Sequence, residues 1–259
     1  KIQSWTDVPV CLDSEGAQIR NQYMVNESVT FKKGGIVKIH HNEIVGDSEN
    51  ISFTPLSISR QLEVGDSLRV DFNSVILKVI KKNKKYLIAR VENNGKVGSN
   101  KATDVDRVLD LDTLTNKDEK AFKIGLEKGI RNFALSFTNS LEDVKTVRKI
   151  IGYDSNLISK IESINGVLNL AEILPATDQI LIDRGDLSRE VCLEKIPFVQ
   201  RRIISYAKSK DVPVYVATNL LESMVKSISP TRAEVNDVAS SLLMGANGLV
   251  LASETAIGA

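Results

Sequence analysis

From Asp110 onward, short apolar runs alternate with helical stretches, and that rhythm constrains the fold more than any other feature of the sequence. Thr115-Asn116-Lys117-Asp118 reads as an N-cap with an acidic first turn, opening a helix to about Lys128 that Gly129 closes. Residues 132–137 read as the next strand, and Ser140-Leu141-Glu142-Asp143 as the cap of a helix to about Ile151. Strands follow at 157–162, 179–182, 212–216 and 248–252, with helices over 167–174, 194–208 and 233–244. Val8-Pro9-Val10-Cys11-Leu12 supplies an opening strand whose exit is polar. Strands and helices alternating at these lengths imply βα units around a parallel sheet.

Between about Asn21 and Asp104 the texture changes. Short β-type runs fall at 28–31, 35–39, 67–70, 75–79 and 86–91, separated by Lys33-Gly34-Gly35, Gly46-Asp47, Val64-Gly65-Asp66 and Asn93-Asn94-Gly95. No helical period competes with them, so this stretch reads as a small all-β domain inserted into the α/β part. Lys81-Lys82-Asn83-Lys84-Lys85 is most simply a solvated hairpin tip.

Composition excludes several classes. With 34 basic and 33 acidic residues the formal net charge is +1, which gives no electrostatic footprint for nucleic acid or an anionic membrane. No apolar run reaches the length of about 18 residues needed to cross a bilayer. The start is polar and lacks a signal-peptide pattern, and a cytoplasmic location, with an organelle left open, is the expectation. Cys11 and Cys192 lie in apolar-rich segments and read as buried free thiols rather than a disulfide.

The polar residues at the strand exits carry the chemistry. They are Asp13 and Ser14, Ser136, Lys160 and Glu162, Arg184-Gly185-Asp186, Thr218, and Glu254. Barrels of (β/α) type collect their chemistry at the C-terminal ends of their strands. In the 157–162 strand, Ile158, Lys160 and Glu162 share a face, and two charges there suit the open end of a strand better than a dry interior. Glu162 and Asp186, with no His or Cys nearby, suit oxygen-only coordination of Mg²⁺ or Mn²⁺; structural pairing with Lys160 and Arg184 is the alternative. Lys160 beside a metal and a phosphate would stabilise charge in phosphoryl transfer, or act as an acid toward an enolate. Thr218 can relay a proton through water or cap the following helix. His40 and His41 lie in the β-rich stretch, away from these groups.

Taken in order, Ser159-Lys160-Ile161-Glu162, Asp183-Arg184-Gly185-Asp186-Leu187, Ala217-Thr218-Asn219, Glu222, Met224, Pro230-Thr231-Arg232-Ala233-Glu234 and Ser253-Glu254-Thr255-Ala256 resemble the blocks of the pyruvate kinase family. The segments 13–20 and 91–99 are similar to further family stretches. The resemblance implies a (β/α)₈ barrel of TIM type, incomplete in this chain, over 1–20 and 105–259, with a β-barrel-like lid over 21–104. It implies transfer of the phosphoryl group of phosphoenolpyruvate to ADP, giving pyruvate and ATP, with protonation of the enolate. Carried over by position, Lys160 stabilises the phosphoryl in flight, Glu162 and Asp186 hold Mg²⁺ or Mn²⁺, and Thr218 assists the proton relay. Gly185, with its neighbouring backbone, faces the substrate carboxylate; Arg184, Ser136 and Glu254 belong to the same substrate shell. Asp13 and Ser14 are ligands for K⁺, and Arg20 and Lys101 lie on the nucleotide-phosphate side.

The sequence also departs from the family. Two βα units and the C-terminal domain have no counterpart here, so only six of eight barrel strands are expected, to be completed by a homo-oligomer or a partner segment. Glu15 stands where the family has Lys, Phe72 where it has Asp, and Ser188 where it has Gly, while Asp183 replaces a small residue. Two other functions therefore stay open: an impaired, pyruvate-kinase-like pseudoenzyme or interaction module, and a metal-dependent enolate enzyme of aldolase type.

Overall fold

The computed structural model describes residues 2–258, which form two compact units. One comprises the described residues up to Ala17 together with those from Thr113, and the other is Gln18–Asp112. The insert thus reaches beyond the expected 21–104 at both ends. Ile19–Asn21 pairs with two of its strands, and Leu109 and Leu111 pack on its core.

In the first unit, strand β1 (Cys11–Asp13) precedes the insert. The insert carries β2 (Ile19–Asn21), β3 (Ser28–Phe31), β4 (Ile36–His40), β5 (Asn50–Thr54), helix α1 (Ile58–Gln61), β6 (Ser67–Val70), β7 (Val75–Lys82), β8 (Tyr86–Val91), β9 (Gly95–Gly98) and β10 (Ala102–Val105). Seven of these strands close a barrel in the order β10-β2-β5-β4-β8-β7-β6, and β3 pairs with β9. Period-two alternation drives the closure: Val75, Leu77 and Val79 of β7 are buried, with Ile76 and Lys78 between them only partly so. Phe53, Leu68, Leu77 and Leu87 fill the interior, and closure leaves no edge for foreign strands.

Two expectations for the insert are corrected. It is not all β, since α1 makes one helical turn. Nor is the lysine run wholly solvated: Lys82 Nζ donates to Arg60 O at 3.1 Å and Leu62 O at 2.8 Å, and pairs with Glu63 at 2.7 Å. A lysine there satisfies the carbonyls left open at the C-terminal end of α1.

The first unit continues with α2 (Asn116–Glu127), β11 (Asn132–Leu135), α3 (Leu141–Ile151), β12 (Asn156–Ile161), α4 (Ile164–Leu168), α5 (Leu170–Ile173), β13 (Gln179–Asp183), α6 (Arg184–Leu187), α7 (Ile196–Lys208), β14 (Val214–Ala217), α8 (Arg232–Met244), β15 (Gly248–Val250) and α9 (Ser253–Ala256). Its six strands are all parallel, in the order β1-β11-β12-β13-β14-β15. β1 and β15 are free edges, so the described residues form a parallel half-barrel sheet rather than a closed eight-stranded one. Phe122, Phe133, Leu157, Ile180, Ile182, Val216 and Ile204 pack helices on the sheet. Thr115 with Asp118, Ser140 with Asp143 and Thr231 with Glu234 each form a capping box, satisfying amide donors that helix starts leave open.

Three further expectations change. The helix over 167–174 is two short helices, starting earlier at the Ser163 cap and broken at Asn169, whose side chain donates to Asn139 O at 2.7 Å. The opening strand lies at Cys11–Asp13 rather than 8–12. Cys11 and Cys192 are free, as expected, but exposed: β1 is an edge strand, and Cys192 sits in the connection ahead of α7. Among the described residues, no helix is long and apolar enough to cross a membrane.

Glu234 accepts from the N–H and hydroxyl of both Ser223 and Thr231, and these bonds, the Ser223 hydroxyl foremost, lower its pKa to about 2. A depressed carboxylate contributes stability above the ordinary value of 4.5 and loses it as pH falls toward about 2. Glu234→Gln is expected to flatten the acid side of the stability curve in that window, read by urea unfolding at stepped pH; an unchanged curve would show that the cap does not set it.

Candidate functional site

Three adjacent parallel strands bring their last residues to one point. Asp13 ends β1, Ser136 follows β11, and Lys160 lies near the end of β12. Lys160 Nζ lies 3.0 Å from Asp13 Oδ2, 3.1 Å from Ser136 Oγ and 3.0 Å from Glu162 Oε1. Burial alone would lower the Lys160 pKa, but Glu162 and Asp13 more than offset it, so the ammonium is held above its ordinary value. Ser136 also donates from Oγ to Asp13 Oδ1 at 3.1 Å, and its N–H donates to Ser14 Oγ at 3.0 Å. Ser14 is buried beside this cluster.

Glu162 is 1% exposed. Its Oε2 accepts from Phe137 N at 2.7 Å, where Phe137 turns out of β11 with φ of 52°. Its Oε1 faces the Lys160 ammonium at 3.0 Å and has no other partner. Burial pushes its pKa up to about 7, with Lys160 opposing and Asp183 and Asp186 adding to the rise.

The neighbouring strands β13 and β14 complete the site. One carboxylate oxygen each from Glu162, Asp183 and Asp186 lie within 4.8 Å of one another. Asp186 sits in α6 and is paired at 2.9 Å with Arg189, not with Arg184. Arg189 also lies over the Phe137 ring, 5.9 Å from its centroid. Asp183 Oδ1 accepts from Gly185 N at 3.1 Å, from Asp186 N at 3.4 Å and from Thr218 Oγ at 3.1 Å. Gly185 N also donates to Thr218 Oγ at 2.8 Å. Thr218 has φ of 67° and Asn219 52°, an uncommon region for a β-branched residue and of the kind found where a site constrains the backbone.

Not every expected residue joins this network. Arg184 turns to α8, pairing with Asp237 at 2.6 Å and donating to Thr218 O at 2.6 Å from Nη2. Glu254 accepts from Leu221 N at 3.3 Å and Ala252 N at 3.1 Å, which ties the β14 exit to α9. Arg20 and Lys101 belong to the insert, where Arg20 Nη1 donates to Asn100 O at 2.8 Å and Lys101 N to Asn21 Oδ1 at 2.8 Å. Asp183, Arg189 and Phe137 were not among the expected site residues. The strand-exit rule that selects Asp13 also selects Asp183, and the three-residue helical spacing from Asp186 selects Arg189. Phe137 acts through its backbone, which no residue type signals.

The donor set suits a hard divalent ion. It is all oxygen, and one buried carboxylate oxygen of Glu162 has no partner but the Lys160 ammonium. The oxygens of Asp13 and Ser14, expected to hold K⁺, are already tied to Ser136 and Lys160. Removing one partner of a buried ion pair strands the other charge, at about 3–5 kcal/mol. Lys160→Met is therefore expected to destabilise the chain by that order in urea at neutral pH, with Glu162→Gln recovering much of the loss in the double variant; additive losses would break the assignment.

A family model described as pyruvate kinase, barrel domain, matches residues 1–259. The chain is 34% identical over 255 residues to pyruvate kinase of Thermotoga maritima, covering 97% of this chain and 55% of the relative. It is 33% identical to that of Bacillus licheniformis (97% and 44%) and 34% identical to that of Dictyostelium discoideum (97% and 51%). The chain thus spans about half the length of these curated relatives. Lys160, Glu162 and Asp186 meet at the strand exits of a parallel sheet whose whole span matches one family, and the chain belongs to the pyruvate kinase family.

Proposed function

We propose that this chain carries the catalytic core of a phosphotransferase that moves the phosphoryl group of phosphoenolpyruvate to ADP, giving pyruvate and ATP. The observation that carries the reading is Lys160, kept cationic by Asp13 and Glu162 next to three clustered carboxylates. A permanently charged ammonium in a partly desolvated site stabilises charge on a transferring phosphoryl group. A raised pKa makes Lys160 a poor proton donor, so the charge-stabilising role is preferred to that of an acid toward the enolate. Glu162 and Asp186 would hold Mg²⁺ or Mn²⁺, which when bound neutralises phosphoryl oxygens.

The other roles follow the same reading. Thr218 Oγ, fixed between Gly185 N and Asp183, is the group for proton relay through water after transfer. Gly185 would receive the substrate carboxylate, Ser136 would orient Lys160, and Asp13 with Ser14 would serve K⁺. Arg20 and Lys101 would meet nucleotide phosphates. Arg184 and Glu254 act as positioning residues, holding the β14 exit through Thr218 O and Leu221 N. Completion of the barrel by further chain or a second copy belongs to this proposal too.

One observation favours a second reading, an impaired catalyst. The Gly185 N–H and Thr218 hydroxyl are already engaged by Asp183 Oδ1, so a substrate carboxylate must compete with an internal one.

Pyruvate release from phosphoenolpyruvate and ADP, with Mg²⁺ and K⁺, tests the first reading. Lys160→Met, assayed where circular dichroism shows it folded, is expected to lower kcat by about 10²–10³-fold; a folded parent chain without activity sinks the reading for this chain. For the second, Asp183→Ala at saturating Mg²⁺ should lower KM for phosphoenolpyruvate. An unchanged KM removes the competition.

A further inference from the structure

Asp183 is the one carboxylate of the site to which the proposed reaction gives no part. It ends β13, is 9% exposed, and has Oδ1 fixed by Gly185 N, Asp186 N and Thr218 Oγ. All three of these bonds fall on Oδ1, so the carboxylate is well held through one oxygen. An oxygen of this group lies within 4.8 Å of oxygens from Glu162 and Asp186. Glu162, 1% exposed, contributes an oxygen with no hydrogen bond, Oε1, although Lys160 Nζ lies 3.0 Å away.

Charge adds an independent argument. The connected network holds four carboxylates (Asp13, Glu162, Asp183 and Asp186) and two cations (Lys160 and Arg189). Two negative charges are left over, and the buried pair Glu162 and Asp183 bears the cost unless something supplies the opposite charge. One divalent cation balances them; with a neutral residue at 183 it would overshoot. Hard divalent ions bind more tightly as the number of anionic oxygen ligands rises.

We propose that Asp183 is a third carboxylate ligand, beside Glu162 and Asp186, of a hard divalent cation, and that this chain binds the ion without help from a substrate. The inference rests on the reading of Glu162 and Asp186 as ion ligands. The competing role for Asp183 is a cap on α6, whose first amides it accepts. Asparagine caps a helix as well as aspartate but brings no charge, so Asp183→Asn separates ligand from cap.

The experiment titrates Mn²⁺ into the chain with neither phosphoenolpyruvate nor ADP present, following free Mn²⁺ by electron paramagnetic resonance and heat by calorimetry. The parent, Asp183→Asn and Glu162→Gln are compared after thermal melts show each to be folded. The expected result is one Mn²⁺ per parent chain and an affinity about tenfold or more weaker in Asp183→Asn. If Asp183→Asn binds as tightly as the parent while Glu162→Gln does not, Asp183 is a cap only: this proposal falls and the two-ligand reading stands. If the parent binds no Mn²⁺, or Glu162→Gln is also silent, the ion site falls and both readings go with it.

Discussion

A lysine paired with a buried carboxylate on one side and a solvated one on the other is the constraint on which the rest of the site depends. Glu162 could not stay 1% exposed and charged without Lys160, and Lys160 could not stay in a half-dry position without Glu162 and Asp13. That mutual requirement ties the β12 exit, which carries Lys160 and Glu162, to β1 through Asp13, and Ser136 after β11 bonds to both Lys160 and Asp13. The parallel sheet supplies the register and the ion pairs set where it ends.

The neighbouring β13 and β14 exits work differently. There the backbone is bent rather than the charge buried. Thr218 and Asn219 in the left-handed region turn the chain so that the Thr218 hydroxyl and carbonyl face opposite tasks, one toward Asp183 and Gly185, the other toward Arg184. A salt bridge from Arg184 to Asp237 braces this bend from α8. The site thus combines a charge-locked half with a backbone-locked half, and Glu162 and the two aspartates join them.

Much of this was legible in the sequence, and the parts that were not share a cause. Thr115, Ser140 and the Pro230–Glu234 block announce helix starts because capping is local, decided within four residues. Lys160 and Glu162 announce the site because period-two alternation and a strand end are local as well. Arg184 could not be placed that way: its partner Asp237 lies 53 residues on. The break at Asn169 depends on Asn139, and the helical end that Lys82 covers lies some twenty residues before it. Strands such as Asn50–Thr54 and Ala102–Val105 carry polar residues at half or more of their positions and exist because the barrel needs a neighbour there. Asp183 was readable by the strand-exit rule, yet the sequence comparison with a family presented it only as a departure.

The closed order of the insert's strands has a consequence for how such chains accumulate change. β2 and β10, the first and last strands of the insert, are antiparallel neighbours, with Arg20 opposite Ala102. Their separation is therefore one inter-strand spacing, about 4.8 Å, however many residues lie between. The first and last strands of the insert thus meet as the two arms of a hairpin do. The residues between them can change in number and composition without moving these two strands apart, because the pairing and not the chain length sets the gap.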